Sequence, residues 1–235
     1  MQVQPRFCDR AYLLDFFRGK RVAVVGSGPG VLHNPVGLVD SHDVVVRVNN
    51  YKLFKASGHR TDVYYSYFGN AIRKTASELV RDGVRLCMCK CPDAQFIESE
   101  WHRQNGKMNG VDFRWIYEAR AAWWFCPTFI PSVEHFLDRF ELLGKRVPTT
   151  GFAALLDVLA LEPAHVYATG FDFFASGLHN VNERWKRANP EDPIGHDPAA
   201  ERAWLHRRFR DFPLTMDSVM TAAVTGDGKM KKRAR

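Results

Sequence analysis

Long apolar runs are missing from this chain. No uninterrupted stretch reaches the roughly 18 residues that a membrane span requires, and the opening segment MQVQPRFCDRAYLLDFF lacks a cleavable hydrophobic core. A cytoplasmic protein is therefore expected. Cysteine is scarce and odd in number, five in 235 residues (Cys8, Cys87, Cys89, Cys91 and Cys126). A complete set of intramolecular disulfides is impossible, and a reducing compartment is the simpler reading. No Ser/Gly-rich or Pro-rich linker and no internal repeat divides the chain, which favours a single domain over residues 1–225 with a basic, disordered tail at 226–235. What is present is 46% hydrophobic and 25% charged residues, which excludes disordered and collagen-like classes. The charge is lopsided, 33 Lys+Arg against 26 Asp+Glu, a net +7. That excess suggests an anionic partner, whether nucleotide, nucleic acid or acidic membrane, and does not choose among them.

Apolar runs alternate with helical patterns. A short helix around Tyr12 to Arg18 precedes a buried strand at Val22 to Val25, stopped by Gly26-Ser27-Gly28-Pro29-Gly30. Further strands are expected at Val44 to Val48, ending in Asn49-Asn50, at Val63 to Tyr67, at Val84 to Cys91 and at His165 to Thr169, before Gly170. Helices are expected at Ile72 to Arg81, after Pro131-Ser132, and from Gly151 to Leu161. This alternation predicts an α/β fold: a single Rossmann-like domain with a mostly parallel, doubly wound sheet, whose ligands bind beyond the carboxyl ends of the strands. Cys87, Cys89 and Cys91 recur at period two on one strand face, which suits small buried side chains better than tetrahedral metal ligation.

The glycine turn after the first long strand is of the kind that lets backbone approach a phosphate at a helix start. It departs from the dinucleotide fingerprint in two ways. The third glycine arrives one residue early, and the next strand ends in Asn49 instead of an acid for a ribose. A nicotinamide oxidoreductase is thus a weak alternative, and a mononucleotide remains compatible.

The segments RVAVVGSGPG and DSHDVVVRVNN (Asp40 to Asn50) together resemble the large sialylmotif of the animal-type sialyltransferase family. Pro148-Thr149-Thr150-Gly151, followed by a helix and HVYATGFD, is similar to the small sialylmotif. His179 stands at the place of the third motif, and His196-Asp197-Pro198-Ala199-Ala200-Glu201 fits the very short motif H-x-x-x-x-E. The four occur in the family's order, from Arg21 to about Glu201. The sequence departs from the pattern at Val22 and Glu162, where secreted members carry paired cysteines, at Ser27, which replaces an asparagine, and at Asn180, Val181 and Asn182, which replace aromatic residues.

The resemblance implies a variant GT-A glycosyltransferase fold and an inverting sialyltransferase with a CMP-sialic acid donor and a glycan or glycolipid acceptor. His196 is implied as the general base that takes the acceptor's hydroxyl proton, a task suited to a group whose ordinary pKa is about 6.5. His179 is implied as partner of the departing phosphate. Donor contacts are expected from Gly26, Ser27, Gly28, Asn49, Thr149, Thr150, Gly151 and Gly170, with Glu201 in support; ordinary helix capping is an equally simple use for Thr149 and Thr150. His42 and Asp43 are expected to be structural. The chain contains no Asp-x-Asp, the usual metal-chelating element where a nucleotide diphosphate is held, so neither a metal nor another cofactor is expected. A CMP-Kdo transferase is the nearest alternative, and a nucleic-acid-binding module rests on charge alone. The aromatic group Trp123-Trp124-Phe125 and the Arg-rich stretch Arg202 to Phe212 invite a membrane reading, against the blander one of packed apolar faces with solvated arginines.

Overall fold

Valine-rich strands build the centre of the molecule. The computed structural model describes residues 7–68, 73–92, 125–175, 178–180, 183–184 and 196–226. Its main sheet contains β1 (Phe7–Cys8), β2 (Arg21–Val25), β3 (Val44–Val48), β4 (Val63–Ser66), β5 (Leu86–Cys89), β6 (Thr128–Phe129), β7 (His165–Thr169) and β10 (Leu214–Met216). The spatial order is β1-β6-β5-β4-β3-β2-β7-β10, and every neighbouring pair is parallel. Two short strands, β8 (Leu178–Asn180) and β9 (Glu183–Arg184), pair separately and antiparallel.

A parallel sheet covered on both faces needs apolar residues at consecutive positions, and the burial follows that rule. Val22, Val24, Val44, Val46, Tyr65, Leu86 and Met88 face one layer; Ala23, Val25, Val45, Tyr64, Cys87 and Cys89 face the other. The cysteines are thus core side chains, packed with Leu79, Phe136 and Phe140. Cys126 lies against Cys87 with 3.6 Å between the sulfurs.

Six α-helices flank the sheet among the described residues: α1 (Arg10–Phe17), α2 (Ala76–Arg81), α3 (Val133–Leu142), α4 (Thr150–Leu159), α5 (Pro198–Arg208) and α6 (Ser218–Thr225). The start of α2 comes later than the apolar pattern suggests because Thr75 and Glu78 close a reciprocal capping box there. In α4, Phe152, Ala153, Ala154, Leu155 and Val158 are wholly buried against β2, β3, β4 and β7. A fully buried Leu or Phe contributes about 1.5–3 kcal/mol. A buried polar knot joins α3 to α4. Arg139 Nη1 lies 2.8 Å from Asp157 Oδ2 and donates to the Tyr65 hydroxyl at 2.7 Å, while His135 Nε2 meets Asp157 Oδ1 at 2.9 Å. Burial opposes ionisation of Asp157, but Arg139 and His135 hold its carboxyl below the ordinary range.

Strands β2 to β6 succeed one another toward one edge, and the chain then crosses back to place β7 on the far side of β2. This reversal puts the topological switch between β2 and β7, where an open α/β sheet offers its binding crevice.

Candidate active site

At the switch, two glycine turns meet. Gly26 N–H donates to Thr169 O and Gly28 N–H to Gly170 O, both at 2.8 Å. A Cβ on Gly26 would stand 2.4 Å from Gly170 O, and one on Gly28 would stand 2.8 Å from the same atom. Gly170 itself has φ +78°, a left-handed conformation that favours glycine. These glycines therefore let β2 and β7 close on each other, and the N–H groups of Gly26 and Gly28 are engaged within the protein. A 3-10 turn at Pro29–His33 follows where a longer helix often stands. The carboxylate of Asp217, the N-cap of α6, completes the corner by accepting from Thr169 Oγ1 at 2.7 Å and Gly170 N at 2.8 Å.

Asn49 ends β3 in the left-handed region (φ 47°), which asparagine tolerates better than most residues. Its Oδ1 accepts from Ser66 Oγ at the end of β4 at 3.2 Å. The preceding motif is structural, as anticipated. His42 is buried with Nδ1 donating to Leu38 O, Asp43 accepts from Arg21 N, and Asp40 accepts from the backbone N–H groups of His59 and Arg60. Lys90, just past β5, is 4% exposed, and burial pulls its pKa down to about 8.

The helix end at Thr149 is where separated segments converge. Thr149 caps α4, its Oγ1 accepting from Phe152 N at 3.2 Å. Glu201, on α5, reaches this cap from 52 positions along the chain, accepting from Thr149 N at 2.5 Å and pairing with Thr149 Oγ1 at 3.0 Å. It is 2% exposed, and burial raises its pKa to about 7 despite the Thr149 hydrogen bonds and the Lys90 charge, which act to lower it. His196, one residue before the α5 N-cap Asp197, places Nδ1 2.8 Å from Val147 O. A carbonyl only accepts, so Nδ1 carries the hydrogen and Nε2 of the neutral ring is the nitrogen able to take a proton. The exposed imidazole and the buried carboxylate of H-x-x-x-x-E thus both grip the Val147–Thr149 segment. Gly151, two residues on from Thr149, faces Phe171 after β7, whose ring lies 2.8 Å from the position of a Cβ. This contact fixes the N-terminus of α4 at the carboxyl edge of the sheet, beside the β2/β7 crevice.

A family model for "Glycosyltransferase family 29 (sialyltransferase)" matches residues 16–205. The chain belongs to glycosyltransferase family 29, the sialyltransferases. The fold agrees. The sialyltransferase CstII from Campylobacter jejuni, solved with the substrate analogue CMP-3FNeuAc, superposes with a TM-score of 0.57 at 15% identity, over 88% of this chain and 84% of that one. Cst-I from the same organism, described as a monofunctional alpha-2,3-sialyltransferase, gives 0.56 at 11% identity over 92% and 80%. A mammalian sialyltransferase gives 0.51 at 17% identity over 88% and 77%. The family 29 chain therefore has the variant GT-A glycosyltransferase fold. No curated protein sequence matches it. The oxidoreductase, Kdo-transferase and nucleic-acid-binding readings are not favoured.

Of the residues singled out in the family 29 sequence, Gly26, Gly28 and Gly170 meet directly, and Thr149 meets Glu201. Asn49, half-buried Ser27 and buried Thr150 lie on the same carboxyl edge. His179 falls on β8, where the side chains lie outside the described residues, as do Trp123, Trp124 and the tail from 227. In α5, Trp204 and Leu205 are buried while Arg202 and Arg207 are exposed, the arrangement of an ordinary packed surface helix. No helix among the described residues is long and apolar enough to cross a membrane. Sequence reasoning missed Lys90, Ser66 and Asp217. Lys90 had a signal, a lone cation inside the apolar run Leu86 to Cys91; Ser66 and Asp217 had none.

Proposed function

We propose that the protein transfers sialic acid, or a related nonulosonic acid, from its CMP conjugate to a hydroxyl of a glycan or glycolipid acceptor. The observation that carries this reading is the junction of His196 and Glu201 with Val147–Thr149 at the rim of the β2/β7 crevice. A solved sialyltransferase of the same fold, in complex with the substrate analogue CMP-3FNeuAc, supports the choice of donor.

In this mechanism the nucleotide lies along the carboxyl edge, touched by Ser27, Asn49, Thr149, Thr150 and the backbone around Gly151 and Gly170. The N-terminus of α4 adds a partial positive charge suited to a phosphate. The acceptor oxygen attacks the anomeric carbon from the side opposite the phosphate, with inversion. The new C–O bond forms as the bond to the CMP oxygen breaks. Nε2 of His196 takes the hydroxyl proton, and CMP departs with the bonding pair, with His179 assigned to its phosphate. General-base help of this kind contributes typically 10²–10⁴-fold. A single leaving phosphate and the missing Asp-x-Asp favour transfer without a metal ion. Glu201 acts by holding the Thr149 cap and, through α5, the helix start next to His196.

The test is His196→Ala. Transfer is expected to fall by at least 100-fold while CMP still raises the melting temperature as in the wild type. Turnover at the wild-type rate removes the base assignment.

A further inference from the structure

Beside Asn49 opens a groove of about 540 Å³ whose walls are the loop Asn50–Leu53 and the segment running from Arg73 through α2 to Asp82. Four cations line it, Lys52, Arg73, Lys74 and Arg81, against two carboxylates, Glu78 and Asp82, a balance of 4 − 2 = +2. Both carboxylates are turned to internal work. Glu78 accepts from Thr75 N at 2.8 Å to close the capping box, and buried Asp82 accepts from the Tyr51 hydroxyl at 2.7 Å and from Lys74 Nζ at 3.0 Å. Lys74 Nζ also stands 3.8 Å above the centre of the Tyr51 ring, which sets its direction.

Position gives this charge its meaning. Arg73 N–H donates to Asn50 Oδ1 at 2.7 Å, which ties the groove wall to the residue after Asn49. The groove therefore begins where the assigned donor contacts end. It is concave, and none of the six large apolar side chains exposed among the described residues (Phe7, Tyr12, Leu32, Val36, Val80, Leu142) lines it, which favours a polar ligand over lipid.

We propose that this groove receives an anionic sugar of the acceptor, one that carries a carboxylate or a phosphate, so that the enzyme extends glycans that are already acidic. This rests on the sialyltransferase reading given above. Lys52 and Arg73 supply long-range attraction and contact from opposite walls, while Lys74 and Tyr51 form a fixed floor.

The experiment compares the wild type with the double variant Lys52→Gln/Arg73→Gln. Acceptors are a neutral galactose-terminated trisaccharide and its sialylated and phosphorylated forms; release of CMP from CMP-sialic acid without acceptor is followed in parallel. The wild type is expected to prefer an acidic acceptor by at least tenfold in kcat/KM. The variant is expected to lose that preference through KM, with CMP release and neutral-acceptor transfer changed less than twofold. The difference should shrink as salt is raised. Equal kcat/KM for acidic and neutral acceptors in the wild type, or an unchanged preference in the variant, overturns the proposal. Should CMP-sialic acid prove not to be the donor, calorimetric titration with the sialylated and phosphorylated trisaccharides decides the groove separately: binding at least tenfold tighter to the wild type supports it, equal binding overturns it. Vesicles of phosphatidylglycerol that bind only the wild type, with no saccharide binding, also overturn it in favour of a membrane surface.

Discussion

Glu201 meets an environment far from that of an isolated carboxylate in a helix. Its folded pKa, about 7, stands above the ordinary 4.5 because burial penalises the charged form more than Thr149 and Lys90 favour it. Between those two values the folded chain binds more protons than the unfolded one, so this residue lowers stability as pH rises from about 4.5 through 7. Lys90 works in the opposite sense: its folded pKa, about 8, lies below 10.5, so its contribution improves stability as pH rises from about 8 to 10.5. Glu201→Gln is expected to flatten the decline below pH 7, read as denaturation midpoints in urea at pH 5 and pH 7.5. An unchanged decline excludes Glu201 as its source. Glu201→Ala, which leaves the Thr149 N–H without its partner, is expected to cost about 1–3 kcal/mol at pH 5. The sequence placed this glutamate by its spacing from His196 but left open whether it was solvated, because a five-residue interval says nothing about what packs over it. The position of His196 was legible, because the motif that names it also sets the helix start that follows it.

At the scale of elements, the strands were legible because a parallel sheet covered on both faces demands apolar runs: β3, β4, β5 and β7 stand inside the runs that announced them, and β2 begins one residue before its run, at Arg21. Helix starts were legible at Ser132 and Thr149, and less so at α2, which also has a capping side chain, Thr75, but where the apolar pattern extends beyond the cap. The pairing of elements was not legible. Nothing in the sequence shows that the first glycine turn is shaped by the second, yet Gly26 has its side-chain position filled by Gly170 O. Gly26→Ala is therefore expected to lose about 1–3 kcal/mol or more in denaturant unfolding, since the obstruction is backbone and cannot rotate away. Gly19→Ala is a control with nothing within 4 Å, its cost being that of a φ of +68° alone. Similarly hidden was the Arg139–Asp157 pair between α3 and α4, at 2.8 Å and 5% and 4% side-chain exposure. Asp157→Ala is expected to cost about 3–5 kcal/mol by stranding Arg139, and considerably less when Arg139→Met is added, as a double-mutant cycle will measure.

The whole molecule joins a net positive charge to a crevice at the carboxyl edge of a parallel sheet. The net +7 that opened several partners in the composition has one local expression in the groove beside Asn49, and in the function proposed above a CMP-linked donor occupies the β2/β7 switch. A ligand that binds only the folded state raises its stability by about 2.7 kcal/mol at 100 times its Kd. CMP is accordingly expected to raise the melting temperature by several degrees, and NAD at the same concentration to leave it unchanged; the reverse pattern contradicts the nucleotide assignment. The central claim is tested most directly by incubating the wild type with CMP-sialic acid and excess EDTA and following release of CMP. The account predicts CMP release by the wild type at the same rate with and without EDTA, and release reduced at least 100-fold in His196→Ala. Absence of release by the wild type, or its abolition by EDTA, would contradict it.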